Sequence, residues 1–389
     1  MARNLLGGVE TYLASILPAL VRAGHEVTLG YEQEAAESMG ALAPDQVRMV
    51  QFSSKWAATL KGEEPPDVVL LNGLWNPLYE MRLVDWAPTV YFAHNFWGVC
   101  ISGSKRWGRP FPKTCTRSFG PGCLIHYLPH GCGGLNPFVA LEMFSAQSKR
   151  LGTILRSRAV LVASEYMRRE YERNGVAPER INVIPPFVRE PEEEPQNVEQ
   201  RRRGRRLVFL GRMTQLKGPT YLVRAAHELN STDGQSWTVV FGGDGPERER
   251  VLAEAKRLDV PLECAGWVDA SRRDELLRSA ALLVLPSTWP EPFGIVGLEA
   301  ARLGVPSVAF GVGGIPEWLE SGVNGELAEF PASVRSLADA VRRATSSEAH
   351  YRQLCHGATE RSRHFSEAAH FSPLLRTLQA AASASVILP

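Results

Sequence analysis

The sequence predicts an α/β protein of two doubly wound, Rossmann-like domains, and three observations carry that prediction. The chain has 389 residues, long for one core and suited to two domains of ordinary size. Short apolar runs recur along it, several followed by a Gly-rich or charged loop and then by residues at helical spacing. Those loops fall on one edge of the implied parallel sheets, where open α/β sheets bind ligands.

Composition narrows the function classes. Hydrophobic residues make up 44% and charged residues 22%, the proportions of a soluble globular protein. A formal net charge of +1 supplies no overall field for nucleic acid, so no such partner is expected. No apolar run approaches the roughly 18 residues of a membrane span, and no signal peptide opens the chain. A cytoplasmic protein is expected. Six cysteines in a chain this size do not suggest a disulfide framework.

The first domain is expected over residues 1–188. Gly7 and Gly8 open a helical stripe of Val9, Tyr12, Leu13, Ile16, Leu17 and Leu20 that ends at Gly24. Pro18 inside the stripe is expected to kink or divide it. A Gly-Gly loop opening a helix cradles phosphate when a strand precedes it. Here only residues 1–6 precede it, too short and polar for a buried parallel strand. A phosphate cradle and a plain turn therefore both stand for Gly7 and Gly8. Strands are expected at 26–29, 68–71, 90–93, 159–163 and 181–184, and Ser164 caps a helix carrying Met167 and Tyr171.

Residues 189–206 combine Pro, acidic runs and Arg201-Arg202-Arg203, and read as an exposed linker whose arginines either stay solvated or touch acidic lipid headgroups. The second domain is expected over 207–364, with strands at 207–210, 238–241, 281–285 and 307–310. They lead respectively to Gly211-Arg212 and Lys217-Gly218, to 242–246, to the loop at 287, and to 311–314. Residues 334–344 are amphipathic, and 365–389 form a last helix.

The densest stretch is 287–299, reading Ser-Thr-Trp-Pro-Glu-Pro-Phe-Gly-Ile-Val-Gly-Leu-Glu. Pro286 ends the apolar run before it, and apolar residues after it recur at helical spacing, so this is a strand-to-helix loop. Gly294 opens the helix and leaves the amides of Ile295 and Val296 to face an anion. Glu291 and Glu299 flank that helix start. Taken alone, two such glutamates read as solvated helix-face charges.

Glu-x7-Glu around Pro292-Phe293-Gly294 resembles the signature of retaining glycosyltransferases of the two-domain GT-B class, family 4. The resemblance covers nearly the whole chain, specifically in the second half and loosely in the first. It implies two facing Rossmann-like domains with the active site in the cleft, a full first strand where residues 1–6 stand, and a C-terminal helix packed back on the first domain. It also implies that Glu291 contacts the donor sugar, that Glu299 holds the nucleotide ribose, and that Arg212 and Lys217 bind the diphosphate. Gly242, Gly243 and Gly245 either admit the nucleotide close to backbone or form a tight turn before a helix, and Gly211 joins Arg212 among the donor-site candidates. His94, at the end of the strand 90–93, matches a position facing the sugar across the cleft.

The chemistry asks for these residue types. A nucleotide-sugar donor has a leaving group whose charge grows as the glycosidic bond breaks, so the site must supply fixed positive potential. A guanidinium fork, an ammonium and free helix amides would surround two phosphates. No Asp-x-Asp stands at a strand end, and no catalytic metal or other cofactor is expected. Retention can use a carboxylate nucleophile; the family resemblance implies instead a same-face reaction in which the donor phosphate helps deprotonate the acceptor. Trp75 either lines the acceptor pocket or belongs to the core.

Cys100, Cys115, Cys123 and Cys132 share a Gly/Pro-rich segment with His126 and His130. Four thiols match the ligand count of a structural zinc site. The spacings of fourteen, seven and eight residues lack the compact Cys-x2-Cys knuckle, and free thiols in an acceptor-recognition loop are the other reading. The expected activity is metal-independent hexosyl transfer from a nucleotide diphosphate sugar, UDP or GDP type, to a glycan or lipid-linked acceptor in cell-surface polysaccharide synthesis. Peripheral contact with the inner membrane face goes with it. The rivals are a different GT-B enzyme, epimerase or phosphorylase, and a non-catalytic nucleotide-sugar binder.

Overall fold

The computed structural model describes residues 8–32, 45–53, 64–191, 198–234 and 236–383. In the first half, β1 (Thr28–Tyr31) and β2 (Arg48–Gln51) pair in parallel as a sheet of their own. A second parallel sheet contains β3 (Val69–Leu71), β4 (Thr89–Ala93), β7 (Ala159–Val162) and β8 (Ile181–Val183), in that order. Between β4 and β7 lies a short antiparallel hairpin, β5 (Arg106–Trp107) with β6 (Lys113–Thr114). Every residue of β4 and β7 is buried, as parallel strands covered on both faces require.

The second half forms one six-stranded parallel sheet from β9 (Arg206–Leu210), β10 (Thr238–Gly242), β11 (Leu262–Gly266), β12 (Leu282–Leu285), β13 (Ser307–Phe310) and β14 (Gly325–Ala328). Its strand order is β11-β10-β9-β12-β13-β14. This is the Rossmann order, and its topological switch point lies between β9 and β12. The sheet and its helices share one apolar core that includes Leu207, Val239, Leu283, Val308 and Trp318.

Three local expectations change. The first helix, Gly8–Arg22, runs unbroken through Pro18; Ile16, Leu17 and Ala19 are buried around it, and their packing offsets the missing hydrogen bond. The expected linker contains a helix, Val198–Gly204. Its Arg201 is buried, donating to the carbonyls of Leu303 and Gly304 at 3.2 and 3.0 Å, while Arg202 and Arg203 pair with Glu199. Arg201 is thus taken up within the protein, because orphan carbonyls after a helix attract a guanidinium, while Arg203 stays solvated at 76% exposure. Strands β2, β5, β6, β11 and β14 add to those expected.

The two halves are tied together. Ser164 Oγ donates to the Pro292 carbonyl at 2.7 Å. The Glu317 carboxylate accepts from the amides of Glu165 and Tyr166, both at 2.8 Å, and so caps a first-domain helix from the second domain. The last helix, Glu367–Ser383, buries Leu374, Leu378 and Ala381 against Ile16, Val90, Phe92 and Leu161. Its His370 donates from Nδ1 to the Pro185 carbonyl at 2.7 Å. Nε2 is then the acceptor for the Tyr12 hydroxyl, 3.0 Å away.

Candidate active site between the two sheets

The loops after β9 and β12 flank the switch point, and their side chains meet there. Lys217 Nζ donates to both oxygens of Glu291, at 2.7 and 2.9 Å. Glu291 is buried and also accepts from Ser287 Oγ and from Trp289 Nε1, the latter at 3.0 Å. An ammonium and two neutral donors hold a buried carboxylate in one orientation. Ser287 and Trp289 stand four and two residues before Glu291, but only the loop's curvature reveals them as its partners.

The backbone of Glu291 is held as closely. Gly314 N donates to its carbonyl at 2.8 Å. Gly313 has φ +65°, and a Cβ there would lie 2.4 Å from Glu291 O and 2.5 Å from its N. The glycine loop after β13 therefore seats the carboxylate by close approach, which only Gly permits.

Arg212 is exposed and has no side-chain partner among the described residues. Beside it Gly211, at φ +139°, has open space where a Cβ would point. Gly243 and Gly245 form the tight turn that is one of their two readings. Their missing Cβ atoms would strike Gly211 O at 2.2 Å and Met213 O at 2.4 Å, so these glycines pack the β10 loop onto the β9 loop. Gly218, at φ +63°, likewise passes against the Pro286 carbonyl.

The helix Ile295–Ala301 starts at Gly294 with φ +88° and no side-chain cap. Ile295 is exposed and Val296 half-buried. Phe293 is not at the surface: its ring is buried in the core 5.5 Å from Phe365, and its carbonyl accepts from Trp318 Nε1 at 2.6 Å. The aromatic ring anchors the loop rather than touching a ligand. Glu299 pairs with Arg273 at 2.7 Å, a residue the sequence reading passed over because the strand β11 before it was missed. Burial pushes the Glu299 carboxyl above its ordinary range, against the pull of Arg273 and Arg302.

From the first domain, His94 follows β4 and stacks on Phe92 with ring centroids 4.5 Å apart. Its Nε2 lies 2.8 Å from Asn72 Oδ1. Burial, aided by His370, lowers its pKa to about 4, so the ring is neutral near pH 7. Nε2–H donates to Asn72, and Nδ1 keeps an acceptor lone pair. Two residues on, Phe96 meets Trp289 edge-on at 6.3 Å, which brings the His94 loop against the Glu291 loop.

Trp75 is 74% exposed, which removes the core reading. It lies 5.9 Å from Trp97, and the guanidinium of buried Arg150 sits 4.2 Å over the Trp97 ring. Arg150 also pairs with Glu80 at 3.1 Å and donates to the carbonyls of Leu74 and Trp75. Gly8 is exposed at the start of its helix; Gly7 lies outside the described residues.

The expected zinc ligands do not assemble. Among the described residues no group of three or more His, Cys, Asp or Glu is placed to hold a metal ion, and all four cysteines are free thiols. Each of three turns its sulfur to a local group: Cys100 to the Lys105 amide at 3.3 Å, Cys123 to the Ser118 carbonyl at 4.0 Å, and Cys132 to the His126 carbonyl at 3.7 Å. Burial first, and then the other three thiols, push Cys132 up to about 12. Cys123 and Cys132 pack on the small apolar cluster of Ile101, Tyr127 and Ala140, whereas Cys100 belongs to the cluster of Leu71, Phe96 and Tyr171.

Comparison with known proteins agrees with this architecture. Residues 191–364 match the family model described as "Glycosyl transferases group 1", and residues 6–190 match "Glycosyltransferase Family 4". The chain is 26% identical over 371 residues to an uncharacterised glycosyltransferase of Methanocaldococcus jannaschii, covering 88% of this chain and 86% of that one. It is 35% identical over 172 residues to the D-inositol 3-phosphate glycosyltransferase of Acidothermus cellulolyticus, covering 40% and 38% of the two chains. In fold it is similar to Anabaena HepE, crystallised with UDP-glucose, at a TM-score of 0.70 and 18% identity over 97% of each chain. The two matched models together run from residue 6 to residue 364, through both sheets and the loops between them. This chain belongs to the glycosyl transferases group 1, family 4, and is a GT-B glycosyltransferase.

Proposed function

We propose that the chain moves a hexose, with retention and without a metal, from a nucleotide diphosphate sugar to a glycan or lipid-linked acceptor in cell-surface polysaccharide or glycoconjugate synthesis. The observation that carries the reading is the cation pair at the switch point: exposed Arg212 beside open Gly211, and Lys217 on the buried Glu291. A diphosphate entering there meets a guanidinium, an ammonium and the uncapped amides of Ile295 and Val296. Glu291, fixed by three donors, orients sugar hydroxyls rather than attacking the anomeric carbon. Glu299, released from or shared with Arg273, accepts from the ribose hydroxyls.

His94 presents its Nδ1 lone pair to a sugar hydroxyl. The growing negative charge on the leaving phosphate is stabilised by Arg212 and Lys217, and that phosphate takes the acceptor proton on the same face. HepE in complex with UDP-glucose supports a UDP-type donor as the first to try, with GDP-type donors next. Among the described residues no helix is long and apolar enough to cross a membrane, so a lipid-linked acceptor would be met at the surface of a cytoplasmic, peripherally attached protein.

The test is turnover of nucleotide sugars in EDTA, followed as release of nucleoside diphosphate, in the parent chain and in Arg212→Ala. If Arg212 stabilises leaving-group charge, its loss lowers turnover by roughly 100-fold or more. Near-parental turnover in the variant rejects that role.

A further inference from the structure

We infer that the face built by residues 106–141 docks this protein onto an anionic lipid bilayer, an inference that rests on the lipid-linked acceptor reading and gives it a location. Between Asp85 and Glu142 the chain has no acidic residue, yet it holds Lys105, Arg106, Arg109, Lys113 and Arg117. Lys105 and Arg106 are buried. Arg109, Lys113 and Arg117 are exposed. Interleaved with them are bulky apolar side chains turned to solvent: Phe111 at 76%, Ile125 at 74%, Leu135 at 67% and Phe138 at 78% exposure. Single exposed apolar residues need no explanation, but several large ones rimmed by polar and charged residues mark an interaction surface.

The segment is a built structure. Lys105 Nζ forms a buried ion pair with Glu170 at 2.7 Å and donates to the Arg117 carbonyl at 2.6 Å. The amide of Phe119 donates to Asn174 Oδ1 at 2.7 Å. The amides of Gly108 and Arg109 both donate to the His130 carbonyl, at 2.8 and 3.1 Å, and the Trp107 and His130 rings stack at 4.0 Å. These bonds join the β5–β6 hairpin, which carries Phe111, to the end of the helix Gly122–Tyr127, which carries Ile125. That helix packs in turn on the helix Pro137–Arg156, whose first turns hold Phe138 and Leu141. The exposed side chains are thus presented by elements that are bonded and packed to one another.

Charge complementarity selects the occupant. Bulky apolar groups beside three exposed cations, with exposed Glu142 the one acid at the border of the segment, suit a continuous negative surface with an apolar interior, where apolar burial and headgroup attraction add. The segment begins ten residues after Phe96, in the same connection between β4 and β7, so docking through it would bring the His94 side of the first domain toward a lipid-linked acceptor.

The experiment is sedimentation of the full chain with vesicles of phosphatidylcholine alone and of phosphatidylcholine mixed with phosphatidylglycerol. Binding to the mixed vesicles is expected, with weaker binding to neutral ones and a decline as salt rises. Phe111→Ser with Phe138→Ser should weaken partitioning by about tenfold per ring, and Arg109→Gln with Lys113→Gln by about fivefold per charge. UDP titration and thermal unfolding should be unchanged in both variants. Absence of binding to mixed vesicles by a chain that still binds nucleotide overturns the inference, as does undiminished binding by the double serine variant. Light scattering that shows a dimer dissolved by the serine substitutions also overturns it, in favour of a second copy on this face. Vesicle binding without nucleotide binding would instead sink the donor-site reading and leave the docking face standing.

Discussion

At the scale of single residues, the site consists of charges held ready by their neighbours. Glu291 has three donors before any substrate arrives, and Glu299 has Arg273. Such groups keep a fixed geometry at little cost when a ligand replaces one partner with another. His94 is the titrating exception. Its folded pKa, about 4, lies below the ordinary value of 6.5, so the unfolded chain takes up the proton first as pH falls. Its contribution to stability is therefore full above pH 6.5 and is lost progressively as pH falls toward 4. His370 is lowered as well, by burial, and acts in the same direction. Urea midpoints measured across that window should fall more steeply in the parent than in His94→Gln. Parallel slopes would contradict a buried neutral His94.

At the scale of elements, glycines do the positioning, and they mark what was legible in the sequence. Gly313→Ala places a Cβ against the Glu291 backbone, whereas Gly266, with a similar φ of +67°, has open space around it. Gly313→Ala should thus cost about 1–3 kcal/mol more than Gly266→Ala, the cost of overpacking, and should also depress turnover. Equal losses in chemical denaturation and unchanged turnover would show that the β13 loop does not seat the carboxylate. Strands β4, β7, β9, β10, β12 and β13 were readable because buried parallel strands are continuous apolar runs bounded by loops. Strand β11, Leu-Glu-Cys-Ala-Gly, and β14, Gly-Glu-Leu-Ala, were not, since edge and near-edge strands carry polar and small residues. The helix at Val198–Gly204 was hidden because its anchor is an arginine, and burial of Arg201 depends on carbonyls a hundred residues away. The pairing of Lys217 with Glu291, and the packing role of Gly243 and Gly245, likewise come from loops distant in sequence.

At the scale of the whole molecule, the switch point of one sheet and the strand ends of the other meet through a few contacts. Ser164 bonds Pro292, Glu317 caps the helix Glu165–Glu172, and Phe96 touches Trp289. The last helix returns from the second domain to bury Leu374 and Leu378 beside Val90 and Phe92, in the strand that ends at His94. The proposed donor contacts gather on the second domain and the proposed acceptor contacts on the first. The account's central claim is that the loops after β9 and β12 form a metal-independent site for a nucleotide diphosphate. Calorimetric titration of the full chain with UDP, GDP and ADP in EDTA, beside Glu299→Ala, tests it most directly. The account predicts that one nucleotide binds and that Glu299→Ala weakens it markedly. A folded chain that binds none of the three, or a variant with unchanged affinity, would contradict it.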